Sequence, residues 1–302
     1  MSILINNLTF NYMSNTPLEQ KVLKNINLEI QEGEFVGLIG QTGSGKSTLI
    51  QHLNGLLKPS EGTVAIDGIN TVGKGLKELR KKVGLVFQFP EYQLFEETVS
   101  RDIAYGVSKL GLSEGEIMTR VQKAAEAVGI PGEILKQSPF SLSGGQKRRV
   151  AIAGVLVMEP KYLILDEPGS GLDPAGRTEI FNFIAKLHRE QGTTVILASH
   201  NMEDIARYVG RVLVLQEGQI AMDGVPSAVF SLTEKLEQAG LRPPELQRFT
   251  KLLREINPDF QEGLMTPEDV ADELEKWFRK IRAFTKTREF DKSGAMESGE
   301  MQ

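Results

Sequence analysis

The chain contains no cysteine, which excludes disulfides and thiolate metal sites whatever its compartment. Histidine is scarce, and His52, His188 and His200 are too scattered to suggest a metal cluster. Charge of neither sign dominates: 35 Lys and Arg stand against 40 Asp and Glu, spread along the chain, so no basic stripe points to a nucleic-acid partner. Long apolar runs are missing too. None approaches the roughly 20 residues that cross a bilayer, and the start Met1-Ser2-Ile3-Leu4-Ile5-Asn6 has neither the basic opening nor the cleavage site of a signal peptide. Any membrane role is therefore expected through a partner.

What is present is an ordinary globular composition, 40% apolar and 25% charged over 302 residues, with room for one large core and an added module. Through residue 75, strand-like runs at Leu8 to Tyr12, Leu28 to Ile30, Phe35 to Ile39 and Thr63 to Ile66 alternate with Gly and Asn turns. Residues 46 to 57 read as a helix. Between about 90 and 157, apolar residues recur at three- and four-residue spacing in Ile117 to Val128 and Gln146 to Val157, the mark of a helical insert. The runs Tyr162 to Leu165, Thr194 to Ala198 and Val212 to Leu215 are continuously apolar, as strands of a parallel sheet covered on both faces must be. The expected class is α/β, with a mostly parallel core sheet, an antiparallel β subdomain and a helical subdomain.

Beyond about residue 225 the composition shifts to Glu, Lys, Leu and Phe, and Pro243-Pro244 interrupts the chain. A helix is predicted from Thr266, with Pro267 in its first turn and Val270, Leu274, Trp277, Phe278 and Ile281 on one face. These residues, 226–286, are expected to form a small helical module, and 287–302, rich in Gly, Ser, Glu and Met, a disordered tail.

Three short stretches carry chemistry. Residues 40 to 48 read GQTGSGKST, directly after the strand Phe35 to Ile39 and opening a helix. Gly40, Gly43 and Gly45 let the backbone curl, so that N–H groups of Gln41, Thr42, Ser44 and Thr48 and their neighbours can face phosphate oxygens beside a helix N-terminus. Lys46 is then placed for the β- and γ-phosphates and the Ser47 hydroxyl for Mg²⁺. Tyr162 to Leu165 runs into Asp166-Glu167-Pro168; an aspartate at the carboxyl end of a buried parallel strand can hold Mg²⁺, and Glu167 can orient or deprotonate the attacking water. Residues 142 to 146 read LSGGQ before a helical run starting Lys147-Arg148-Arg149. Ser143, Gly144, Gly145 and Gln146 form either a second anion-binding helix start or a plain helix cap, and the basic residues after them either serve it or line a solvated face.

Taken in order, the P-loop, Gln88, LSGGQ, Asp166-Glu167, Ser170-Gly171-Leu172-Asp173 and Ser199-His200 resemble the nucleotide-binding subunits of ATP-binding cassette (ABC) transporters over about residues 1–225. The resemblance implies a P-loop NTPase cassette that pairs head to tail, with ATP and Mg²⁺ held between the P-loop of one copy and the LSGGQ of the other. By motif it assigns Tyr12 to adenine stacking and Gln88 to Mg²⁺ and the membrane partner. Ser143, Gly145 and Gln146 are assigned to the facing γ-phosphate, Asp173 to communication across the pair, and His200 to the γ-phosphate. Gly169 departs from the family, which usually has Thr there; it is expected to loosen the loop leading to Asp173.

The segment FPEYQLFEETV from Phe89 to Val99, together with the C-terminal module, is similar to the energy-coupling factor (ECF) transporter ATPases, and within them to the second of two related chains. That likeness implies import of vitamins or transition-metal ions from the cytoplasmic face of the cell membrane. The implied partners are a related ATPase in a heterodimer, a homodimer being possible; a transmembrane coupling protein seated near Gln88 to Phe95; and a substrate-capturing membrane subunit. The module is expected at the contact between the ATPases, although packing on its own cassette would bury its stripe as well. Two other classes remain as alternatives: a DNA- or ribosome-associated cassette ATPase, disfavoured by the single cassette and the missing basic face, and a non-hydrolysing regulatory subunit, disfavoured because the carboxylate, the histidine and the signature are all present.

Overall fold

The computed structural model describes residues 1–14 and 16–296, with side chains to 281. Two sheets share the body. The antiparallel one is formed by β1 (Ser2–Tyr12), β2 (Gln20–Gln31), β4 (Glu61–Ile66) and β5 (Ile69–Asn70), in the order β2-β1-β4-β5. The second comprises β3 (Phe35–Ile39), β6 (Val83–Val86), β7 (Tyr162–Asp166), β8 (Thr194–Ala198), β9 (Arg211–Gln216) and β10 (Gln219–Gly224), in the order β10-β9-β3-β8-β7-β6. Its pairs are parallel except β9 with β10.

Strands β3, β7 and β8 are buried at every position, which accounts for their unbroken apolar sequence. Successive side chains point to opposite faces, and the two faces enter different cores. Phe35, Ile39, Leu163, Leu165, Val195 and Leu197 pack with the helical elements. Val36, Leu38, Ile164, Ile196 and Leu213 pack against the antiparallel sheet.

Helices α1 (Lys46–Leu53) and α2 (Leu76–Lys82) precede β6. The first is shorter than the expected 46 to 57, because it ends at Asn54 in a non-helical cap. The helical insert holds α3 (Val99–Ala104), α4 (Glu114–Ala127) and α5 (Gly144–Leu156), with short 3₁₀ turns at Pro90–Gln93, Gly132–Lys136 and Pro139–Ser141. Helix α6 (Pro174–Gln191) joins β7 to β8, and α7 (Met202–Tyr208) joins β8 to β9. Then follow α8 (Pro226–Ser231), α9 (Thr233–Gln238), α10 (Glu245–Ile256) and α11 (Pro267–Met296).

The C-terminal part differs from expectation in three ways. The packing boundary lies beyond 225: Val229, Phe230, Leu236, Ala239 and Leu241 all belong to the cassette's core, and burying one side chain such as Phe230 is worth about 1.5–3 kcal/mol. A separate small core begins only with Leu246 and gathers Leu253, Phe260, Leu264, Val270, Leu274 and Trp277. The stripe on α11 is only part covered, with Phe278 and Ile281 54% and 44% exposed, since that core is too small to span the whole face. Finally, α11 runs through Met296, into the stretch 287–302 expected as a tail; residues 297–302 lie outside the described residues.

Candidate nucleotide site

The P-loop follows β3, the central strand, and its turn is shaped by what surrounds it. An added Cβ at Gly40 would sit 2.3 Å from the carbonyl oxygen of Leu215 on β9, so no other residue fits there. Gly45 caps α1 at φ 105° against Leu23, a left-handed conformation that side chains disfavour. The β9–β10 turn braces the loop, with the Gly218 N–H donating to Ser44 O at 3.1 Å.

Lys46 Nζ donates to Gly40 O at 2.7 Å and to Gln41 O at 3.0 Å, so the ammonium lies inside the loop. Burial pulls its pKa down, and the negative Glu167 and Asp166 counter that; a cation held by two carboxylates in a half-dry pocket is suited to phosphate oxygens. The Ser44 hydroxyl is buried with no partner among the described residues, and a free buried donor facing such a loop fits an anion's oxygen.

Asp166 ends β7 and is 7% exposed. Its burial raises the carboxyl pKa, while the Ser47 hydroxyl bonded to it and the Lys46 charge act to lower it. A hydroxyl and a carboxylate side by side are hard oxygen donors of the kind Mg²⁺ takes when substrate phosphates and water complete its shell. Among the described residues no group of three or more His, Cys, Asp or Glu could hold a metal ion. Gln88 lies exposed just past β6, the strand beside β7, so its amide is available at the same sheet edge.

Glu167 adopts φ 53°. A left-handed side-chain residue costs about 1–2 kcal/mol and is held here because its N–H donates to Ala198 O at 2.9 Å and its Oε1 meets His200 Nδ1 at 2.8 Å. The imidazole is 71% exposed and the carboxylate 12%. Since the carboxylate accepts, Nδ1 carries the hydrogen of that bond. Ser199, 2% exposed, places its hydroxyl 3.5 Å from Glu167 Oε2 and accepts the Asn201 N–H at 3.1 Å. In the sequence Ser199 marks only the end of the strand.

Tyr12, 38% exposed, packs edge-on to Phe10 and reaches Thr48 Oγ1 at 3.3 Å, so an aromatic face stands beside the P-loop helix. Asp173 caps α6 by accepting the Gly176 N–H at 3.0 Å. The signature residues form a capping box: Ser143 Oγ accepts from Gln146 N–H at 3.3 Å, and Gln146 Oε1 accepts from Ser143 N–H at 3.1 Å. One chain brings Lys46 under the charge of Asp166 and Glu167, with Ser47 bonded to Asp166 and His200 to Glu167, while Ser143 and Gln146 bond each other.

Two expectations about loops change. Of the basic run after the signature, Arg148 is 2% exposed and bonded to Glu91, so it leaves the solvated face, while Lys147 and Arg149 are half-buried and Arg149 pairs with the exposed Glu179. At Gly169, far from loosening the loop, an added Cβ would lie 2.9 Å from Phe181 and 3.2 Å from Arg177. Glycine allows close packing there.

A phosphate loop on the central strand, acidic residues ending the next-but-one strand and a histidine past the strand between them define the nucleotide-binding domain of an ABC transporter. The family model described as "ABC transporter" matches residues 23–170. The energy-coupling factor transporter ATP-binding protein EcfA2 of Acetivibrio thermocellus is 53% identical over 280 residues, covering 93% of this chain and all of that one. Its namesake in Clostridioides difficile is 52% identical over 283 residues, 92% of this chain and 98% of that one. Among solved structures, cbiO1 of Clostridium perfringens, part of the ABC transporter complex cbiONQ, superposes with a TM-score of 0.70 at 40% identity, covering 82% of this chain and 98% of that one. The dimeric cassette MJ0796 in a post-hydrolysis state with ADP and Pi gives 0.66 at 31% identity, covering 74% and 98%. The chain belongs to the family of energy-coupling factor transporter ATP-binding proteins, whose work is ATP hydrolysis within a membrane transporter. No helix among the described residues is long and apolar enough to cross a membrane.

Proposed function

We propose that the chain is the ATP-hydrolysing motor subunit of an importer for vitamins or transition-metal ions, held at the cytoplasmic face of the membrane. It pairs head to tail with a related ATPase and docks on a transmembrane coupling protein, while a separate membrane subunit captures the substrate. The reading is carried by one observation: Lys46, bonded to the P-loop carbonyls, lies under the joint charge of Asp166 and Glu167, with His200 on that glutamate.

Each residue has a defined task. Tyr12 offers its ring to the adenine. The N–H groups from Gln41 to Thr48 and the Lys46 ammonium bind the β- and γ-phosphates, and Ser47, Asp166 and Gln88 hold the magnesium. When bound, that ion neutralises developing charge on the phosphates. Glu167 orients the attacking water and accepts its proton, within reach of His200 and Ser199. His200, bonded to Glu167 through Nδ1, offers its other ring nitrogen to the γ-phosphate. The facing subunit's Ser143, Gly145 and Gln146 close the site, and Asp173 lies where the two chains exchange information. The module around α10 and α11 contributes to the ATPase–ATPase contact.

The test compares two variants of the purified chain with its partner ATPase. Lys46→Ala is expected to weaken MgATP binding by at least about 100-fold, and Glu167→Gln to keep binding while slowing hydrolysis by about 10³. Unchanged affinity in the first, or unchanged turnover in the second, overturns the assignment.

A further inference from the structure

The segment after Gln88 and the loop before Asp173 lie far apart in the chain, yet one buried side chain holds both. Arg148, on the second turn of α5, is 2% exposed. Its Nε donates to Glu91 Oε2 at 3.0 Å and its Nη2 to Glu91 Oε1 at 2.7 Å, a two-pronged pair with the 3₁₀ turn Pro90–Gln93. Its remaining Nη1 donates to the carbonyl of Ser170, and its guanidinium lies 5.9 Å from the Phe89 ring. Phe89 adopts φ 55°, a left-handed bend directly before the turn. On the far side, the Ser170 N–H donates to Glu167 O at 3.1 Å, and the Leu172 N–H to Gly169 O at 3.4 Å. Glu91, Arg148, Ser170 and the backbone of Glu167 thus form an unbroken series of hydrogen bonds.

We propose that Arg148 is a positioning residue that locks the loop 167–173 to the segment 88–93 through the signature helix, so that a displacement of that segment moves the loop bearing Glu167 and Asp173. The geometry gives the reason for arginine. A planar fork can occupy both carboxylate oxygens and still aim a third donor at a carbonyl, whereas an ammonium is a point donor that cannot hold the same two partners in one plane. The tight seat of Gly169 against Phe181 leaves the loop little slack to absorb such a movement. The proposal rests on the assignment of Glu167 and Asp173 above, but its test does not need hydrolysis.

Amide hydrogen exchange on the full chain reads the link directly, because Glu91 makes its contact to Arg148 and not to the loop. In Glu91→Gln, exchange at Ser170 and Leu172 is expected to rise at least about threefold while the α6 amides and Tm hold. Arg148→Lys, which keeps the charge, is expected to give the same local rise. Exchange that changes only within 89–96 overturns the proposal, as does a uniform rise across α5, α6 and the core sheet, which would make the pair ordinary packing. Should Lys46→Ala leave nucleotide affinity unchanged, the functional assignment fails while the exchange result still stands or falls alone.

Discussion

Glu167 and Lys46 show how much of the chemistry rests on placing single groups. A carboxylate residue at φ 53° and a part-buried ammonium are each unfavourable alone, and each is stabilised by its neighbours, the Ala198 carbonyl and His200 for Glu167 and the P-loop carbonyls for Lys46. Both were legible as motif residues, because the spacing of a P-loop and of Asp166-Glu167 is local. The partners of Glu167 were not, since the Ala198 carbonyl and the Ser199 hydroxyl arrive from the end of β8. Ser143 illustrates two roles in one hydroxyl. It caps α5, so Ser143→Ala is expected to lower stability by about 1 kcal/mol, measured by denaturant unfolding, whereas Ser143→Thr retains the cap. A Thr variant that is stable yet slow in hydrolysis separates the facing-phosphate role from the cap; one with full turnover counts against that role.

Asp67 is the clearest case of a residue joining elements. It sits at the turn between β4 and β5 with its side chain 1% exposed, and there it accepts from Tyr162 at 2.6 Å, Lys82 at 3.1 Å and Lys161 at 3.1 Å. Burial would raise its carboxyl, but those bonds together outweigh it and hold the pKa at about 2, below the ordinary 3.8. A depressed acid contributes stability that is complete above the unfolded pKa and lost as pH falls through the folded one. Thermal unfolding between pH 5 and pH 2 is therefore expected to show a fall in Tm across that window, and the fall should be shallower in Asp67→Asn. Equal slopes in the two proteins would remove Asp67 as the tie between the sheets. In the sequence Asp67-Gly68 is only a turn signal after a strand-like run, because Tyr162 lies 95 residues away.

In the assembled molecule the incomplete site matters most. LSGGQ lies at the start of α5 with its side chains turned on each other, while the P-loop is tied at its opposite flank to the C-terminal part by Gln41 Nε2 donating to Gly240 O at 3.2 Å. Under the pairing proposed above, a second chain supplies the facing signature. For a chain whose natural partner is a related ATPase, MgATP hydrolysis by the purified protein is expected to stay low as its concentration rises and to climb when that ATPase is added. Specific activity that climbs with this chain's concentration alone would instead establish self-pairing.

The division between what could and could not be read from the residues follows from range. The strands of a mostly parallel sheet, the helical insert, the phosphate-loop motif and the Asp166-Glu167 pair are written in short windows, where periodicity and motif spacing act within a few residues. Packing settled the rest. Arg148 is buried because Glu91, 57 residues earlier, meets it, and Gly169 is tight because Phe181 lies over it. The cassette's core runs on to Leu241, while Phe278 and Ile281 remain exposed on α11. Such outcomes depend on which distant surfaces meet, and a local pattern of apolar and charged residues does not specify that.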